Sequence, residues 1–457
     1  MKAIFFIICA LILSISTFAQ VGKDIHALRY EDDFSYLKHD TTLGPYQRLK
    51  FIPLNEKKDV YLSLGGDMRY QYYNIKNENW GDIENDKDGY SLSRFLAHVD
   101  VHVQDSFRFF FQIQSSNVSG RIDPDPIDHN PLDVHQAFFD LQLLKSRENQ
   151  IIFRFGRQEM RYGSQRLVSV RELPNSRRAF DGAKFILRHN DLAMNFFYTH
   201  PVANNEGSFD DHFNKNTKFW GSYNVLTNIP FIENLDFYYL GIWKRHAVFD
   251  DAEGSELRHS LGTRIWNHNS SLLYDIEGVY QFGTLRTSKI KAWTISASLS
   301  QKLEKVKFSP VLGLKTELIS GNKHYDDQVL ETFNAMFPMG AYFGLAALIG
   351  PANLFDFHPS VDFELAPKIS FAFDYDLFWR LSRNDGIYNV NVQLIYSGKD
   401  SENKFIGSQY TCELKYEPTQ FLTLKMEGTC FNSGSFIKES GAGKNSLFGG
   451  LTFQVRL

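Results

Sequence analysis

The chain has 457 residues, a formal net charge of -4 and 43% hydrophobic residues, with 41 Phe and 22 Tyr among them. A charge this small and negative leaves no electrostatic footprint for nucleic acid. Three cysteines are too few for a disulfide framework to support a chain of this length.

The N-terminus reads MKAIFFIICALILSISTFAQ: a lysine, an apolar run from Ala3 to Leu13, then Ala19 before Gln20. This is the pattern of a secretory signal peptide spanning residues 1–19. Its removal takes Lys2, so -4 becomes -5, and Cys9, which leaves Cys412 and Cys430. No later apolar run approaches the ~20 residues of a membrane helix; Phe343–Gly350 is the longest. An exported, aromatic-rich chain without such a run fits a transmembrane β-barrel, because only alternate residues of a strand face lipid.

Residues 20–58 lack clean alternation and read as a periplasmic lead-in or small plug, with the barrel over 59–457. From Val60 the alternation persists. Val60, Leu62, Leu64, Met68, Tyr70 and Tyr72 share one face, and Ser63, Asp67, Arg69 and Gln71 the other. Phe95, Ala97, Val99, Val101 and Val103 oppose Arg94, His98, Asp100 and His102; Phe107, Phe109, Phe111 and Ile113 oppose Arg108, Gln112 and Gln114. The pattern recurs at Leu192–Tyr198, Leu235–Trp243, Leu272–Gln281 and Phe371–Arg380, and closes on LTFQVRL. Half-buried strands of a soluble sandwich alternate in the same way. Strands of roughly ten residues with aromatic ends point to the membrane instead.

The expected fold is therefore all-β, a transmembrane antiparallel barrel of about 18 strands with short periplasmic turns and long extracellular loops. The links at 104–106, 189–190, 366–368 and 417–419 are short. Those at 74–89, 116–131, 158–177, 200–216, 319–352 and 381–404 are long, while 284–288 is short on the outer side. Tyr388–Tyr396 reads equally as a loop hairpin or a further strand. The apolar loop 319–352 reads as an inward lid, as a segment packed against the arginine loop or, on the favoured reading, as a short helix sealing the mouth. A turn near Pro418 would place Cys412 opposite residue 424, leaving Cys430 beyond bridging reach, so both are expected as free, buried thiols.

Between Phe153 and Gly182 lie seven arginines, 154, 157, 161, 166, 171, 177 and 178, against Glu159 and Glu172 before Asp181. Parity with Phe153 and Phe155 turns Arg154 inward. The loop arginines read either as braces paired with nearby acids or as the lining of an anion path, since porin lumens use such rings. Arg69, Arg94, Arg108, Arg264, Lys315 and Arg380 extend the positive face. A charge facing lipid costs roughly 2–4 kcal/mol at the midplane, so these side chains should face the lumen. Asp123, Asp125, Asp128 and Asp133 match no metal loop. No nucleophile elbow, phosphate loop or HExxH is present, and the histidines are scattered.

FRFGRQEMRYGSQRL and PNSRRAFDG resemble the alginate export family of outer-membrane porins. So, in order, do YLSLGGDMRYQYY, DVHQAFFDL, ETFNAMFPMGAYFG with LIGPANL, FDYDLFWRLSRNDGIY, IGSQYTCELKY and FNSGSFI, together covering about residues 45–457. The resemblance implies an eighteen-stranded, arginine-rich barrel in the bacterial outer membrane that passes an anionic uronate polysaccharide outward. The substrate path is expected at Arg69, Arg94, Arg154, Arg157, Arg161, Arg177, Arg178, Asp181, Arg264, Lys315 and Arg380. The partners expected are an anionic poly- or oligosaccharide, outer-membrane lipid and periplasmic secretion components, for a monomer without cofactor or metal. A general porin for small anions or nutrients is the alternative; a barrel enzyme or adhesin lacks a constellation to support it.

Overall fold

A computed structural model describes residues 25–457, so the signal-peptide reading lies outside the described residues. Eighteen long strands form the wall. The first six are β1 (Val60–Lys76), β2 (Tyr90–Val103), β3 (Phe107–Ser119), β4 (Asn130–Lys145), β5 (Asn149–Gln158) and β6 (Phe180–His189). Next come β7 (Leu192–Ala203), β8 (Thr217–Ile229), β9 (Glu233–Val248), β10 (Glu253–Trp266), β11 (Leu272–Leu285) and β12 (Ser288–Lys302). The last are β13 (Val311–Ile319), β14 (Leu354–Ala366), β15 (Ile369–Trp379), β16 (Phe405–Thr419), β17 (Leu422–Ser433) and β18 (Ser446–Arg456). Each pairs antiparallel with its chain neighbour, and β1 pairs with β18 from Asp67↔Arg456 to Lys76↔Leu447, which closes the barrel. No open edge remains, as hydrocarbon requires.

The two faces follow the alternation. On β3, Phe107 and Phe109 are exposed while Gln112 and Gln114 are buried. Tyr70, Phe95, Phe155, Phe185, Phe196, Tyr198, Phe237 and Tyr280 continue the exposed apolar band around the outside. An apolar surface this extensive is stable only against lipid.

Turns at one end are short apart from the eight-residue link 303–310, and at the other end the links 249–252 and Arg286–Thr287, of four and two residues, are the exceptions among long loops. Residues 387–388 and 394–396 pair only with each other, so this segment is a loop hairpin and not a wall strand. The turn between β16 and β17 lies at Gln420–Phe421, not at Pro418, because a bulge separates Tyr416 from Thr419. The ladder consequently sets Cys412 opposite Gly428 and Cys430 opposite Tyr410. Both thiols are free, but Cys412 is exposed on the lipid face, not buried as expected.

The lumen is filled from both ends. From the turn end, Leu28 and Tyr30 pack on the inward Phe110 and Phe138, and Phe34, Leu37 and Phe51 on Tyr61. Helix α1 (Pro45–Lys50) places buried Lys50 so that its Nζ donates to the Leu64 carbonyl at 2.8 Å. From the loop end, residues 320–353 fold inward in extended form; no helix seals the mouth there. Phe333, Ala335, Met336, Phe337, Tyr342 and Phe343 join Phe180, Phe197 and Phe219 of the wall in one buried cluster. The lumen face is apolar where this loop lands, which secures the loop by burial.

Candidate functional site

The loop 159–179, between β5 and β6, meets the apolar loop in the middle of the lumen. The Phe337 amide donates to the Leu167 carbonyl at 3.0 Å, Ser169 N to Phe337 O at 2.9 Å, and Met339 N to Gln165 O at 3.1 Å. Around this junction nearly every arginine is matched by acid or carbonyl.

Arg154 faces the lumen as parity requires, but grips Asp140 through Nε and Nη2, both at 2.7 Å. Its guanidinium also lies 3.9 Å from the Phe138 ring centroid and 4.2 Å from that of Tyr30. Arg69 donates to the carbonyls of Glu172 (2.6 Å) and Pro174 (2.9 Å), and Arg94 to the Glu172 carbonyl (2.9 Å) and carboxylate (2.5 Å). Arg177 donates to Glu159 through Nε (2.5 Å) and Nη2 (2.9 Å), to the Glu172 carboxylate, and to the Ala27 carbonyl at 2.9 Å. Burial alone would raise the Glu172 carboxyl; Arg177, Arg94 and Arg69 together hold it well below its usual range. Of these arginines, all expected to line a path, Arg69, Arg94 and Arg177 staple the inward loop to the wall, while Arg154 ties β4 to β5.

Three further expected positions lie off the lumen wall. Arg157 and Asp181 face each other in the ladder on the parity of Phe153 and Phe155, away from the lumen, and pair through Nε at 2.9 Å. Arg380 is buried in the outer loop, where it donates to the carbonyls of Arg383 (2.9 Å), Asp385 (3.0 Å) and Ser401 (2.5 Å) above the Phe436 ring. Deeper on the wall, Arg264 bridges Asp275 (2.9 and 2.8 Å) and Asp236 (2.9 Å), and Lys315 pairs with Glu317 at 3.2 Å. Arg161 lies half-buried, 3.9 Å from Glu31.

A large cavity lies at each end, and the two share no lining residue. The turn-side cavity, about 1210 Å³, is bounded by Tyr30, Arg154, Arg161 and Lys184. The loop-side cavity, about 1260 Å³, is bounded by Arg121, Arg171, Pro174, Lys244 and Pro338. Arg121 is neutralised by Asp128 (2.7 Å) and Glu78 (3.2 Å).

Arg171 and Lys244 have no carboxylate within ion-pair distance among the described residues, and neither has Arg178, which reaches only the Pro338 carbonyl at 3.5 Å. Burial, then the neighbouring Arg171, presses Arg178 toward its neutral form; burial opposes the charge of Arg177 as well, but Glu159 and Glu172 overcome it. Arg178 therefore carries a local excess of positive charge that Arg177 does not. Of the expected residues, Arg178 alone shares this excess on the loop side. Arg171 was visible only as one of the seven, and Lys244 carried no signal, since it stands at the end of an ordinary alternating strand.

Comparisons with known proteins agree with this architecture. A family profile described as alginate export matches residues 60–448. Among solved structures, Pseudomonas aeruginosa OccK2 (OpdF) superposes with a TM-score of 0.57 at 12% identity, over 86% of this chain and 97% of its own. OccK11 (OpdR) of the same organism gives 0.54 at 13% identity, over 87% and 96%. OccK2 (OpdF) in complex with glucuronate gives 0.54 at 13%, over 86% and 98%. A comparison with curated proteins finds no match. Family and fold point to a transport channel in the bacterial outer membrane. With its closed eighteen-strand wall and its profile match from Val60 to Phe448, the chain belongs to the alginate export family of outer-membrane porins.

Proposed function

We propose that the barrel passes an anionic saccharide, an alginate-like uronate oligo- or polysaccharide, with export as the direction. The observation that carries this reading is Arg171 and Lys244, cations lining the loop-side cavity without carboxylate partners, with the equally unpaired Arg178 beside Arg171 behind the lining. Un-neutralised cations in a narrow, low-dielectric lumen bind carboxylates weakly and at several points, as conduction requires. Lys184 and Arg161 supply the corresponding positive charge at the turn-side cavity. In this reading the braced arginines set the width of the passage, and the unbraced ones contact the solute. Periplasmic secretion components would deliver the polymer at the turn end, to a monomeric barrel.

A second reading, a general porin for small anions, draws on the layer between the two cavities, which a monosaccharide acid crosses with less rearrangement than a polymer. The glucuronate complex of OccK2 is an example of a single uronate held by a barrel of this fold. Planar-bilayer recording separates the two. Anion selectivity with block that strengthens as oligouronates lengthen supports the first; block by monouronate alone supports the second. Replacing Arg171, Arg178 and Lys244 together by Gln should abolish most of the selectivity. A cation-selective pore indifferent to uronates refutes both.

A further inference from the structure

The lumen faces of β14 and β15 bring together Asp356, His358 and Asp376, with one ligand atom of each within 4.8 Å of the others. Asp356 is 0% exposed, and neither of its carboxylate oxygens has a hydrogen-bond partner among the described residues. Asp376 Oδ1 is equally unsatisfied. It stands 2.6 Å from His358 Nδ1, but the pair lacks the geometry of a hydrogen bond.

The surroundings do not neutralise this group. Lys315, opposite His358 in the ladder, is engaged by Glu317 at 3.2 Å and lies over the rings of Tyr342 and Phe343. Arg166 is taken by Glu317 and Glu277, both at 3.1 Å. A buried carboxylate with no cation and no donor costs several kcal/mol, so such groups are paired or coordinate metals.

The second layer is already arranged for an ion. His358 Nε2 meets Asp374 Oδ1 at 2.9 Å; in the neutral imidazole this contact puts the proton on Nε2 and leaves the Nδ1 lone pair to the cluster. The second oxygen of Asp376 accepts from Gln409 Nε2 at 3.0 Å. His358 keeps 15% of its side chain exposed, which gives access from the lumen.

We propose that Asp356, His358 and Asp376 bind a first-row divalent cation, with Zn²⁺ as the reference ion. One imidazole and two carboxylates suit such an ion better than Ca²⁺ or Mg²⁺, which take all-oxygen sets. The ion would tie β14 to β15. Through Gln409, whose Nε2 also donates to the Phe343 carbonyl at 2.6 Å, it would fix the inward loop 320–353 as well.

The test uses the full chain in detergent, stripped with chelator and then dialysed against Zn²⁺ or Co²⁺. Folding of each variant is checked by heat-dependent electrophoretic mobility. Wild type should retain one equivalent of Zn²⁺ and show a Co²⁺ d–d band that Zn²⁺ displaces. Asp356→Asn and His358→Gln should each lose the band and at least tenfold in affinity. Asp374→Asn should keep the stoichiometry but bind about 10–100-fold more weakly, as a positioning residue does. Amide exchange of Phe343 and Gly344 should slow on Zn²⁺ addition in wild type only. Equal Zn²⁺ retention by wild type and Asp356→Asn overturns the proposal. So does a metal-free wild type without a Co²⁺ band, a result that needs no variant to fold; the cluster is then an imidazolium bridging Asp374 and Asp376 beside a protonated Asp356.

Discussion

Glu159 offers the sharpest test of whether the arginine loop is braced. Its carboxylate is 1% exposed and takes Arg177 Nε at 2.5 Å, Arg177 Nη2 at 2.9 Å and His135 Nε2 at 2.7 Å. Glu159→Gln keeps the shape and one acceptor oxygen but removes the charge that offsets a 6% exposed guanidinium. Removing one partner of a buried pair costs about 3–5 kcal/mol. Arg177 keeps Glu172 and the Ala27 carbonyl, so the low end, ~3 kcal/mol, is expected for loop opening. At 1.4 kcal/mol per decade this is about a 150-fold rise in the open population.

Hydrogen exchange at the Ser169, Phe337 and Met339 amides, which close the loop–loop junction, reads that rise directly. Arg177→Gln should act similarly, and the double variant should cost less than the sum of the singles, because the residues share one interaction. Exchange within threefold of wild type, or strict additivity, would refute bracing and return Arg177 to the solute path.

Tyr30→Ala removes an edge contact to Phe138 (5.4 Å) and the cation–π contact with Arg154, so docking of residues 26–36 should weaken by about 3 kcal/mol. Faster proteolysis of that segment and larger unitary conductance check it. Gly156→Ala should lower barrel stability by about 1–3 kcal/mol in urea unfolding, since φ is +130° and an added Cβ would lie 2.3 Å from the Ala137 carbonyl oxygen. Asp385, buried in the loop 380–404, has its carboxyl raised from 3.8 to about 6 by burial, against lowering hydrogen bonds from Thr332, Tyr388 and the Asn322 amide. The folded loop then holds the proton more tightly than the unfolded one. Its order should be greatest below about pH 4, decline up to about pH 6 and stay level above that. Asp385→Asn should remove this slope in pH-dependent proteolysis of residues 380–404, and a slope that survives the substitution rules Asp385 out as its source.

The sequence by itself determined the wall. Period-two alternation is a local property, because the pleat alone decides which residues share a face. Arg69, Arg94, Arg154, Arg264 and Lys315 could therefore be placed inward from their apolar neighbours. The eighteen strands and the short Arg286–Thr287 link follow from the same periodicity. Where periodicity breaks, so does the inference. The bulge after Tyr416 moved the β16–β17 turn and with it the register of both cysteines. The continued ladder at Gln158↔Phe180 put Arg157 and Asp181 on the outer parity.

What each inward charge does was decided only by the tertiary structure. Arg69 finds the Glu172 carbonyl 103 positions away, and Arg166 finds Glu317 151 positions away. Arg177 is capped by Ala27 from a segment without any repeating pattern. Alternation specifies the direction in which a side chain leaves the backbone. Its partner depends on how two loops and the N-terminal segment pack inside a closed wall, and that packing is a non-local sum of burial and charge. The same arginine residues thus read as one cluster along the chain, yet divide in space into those already neutralised and the few without a carboxylate partner.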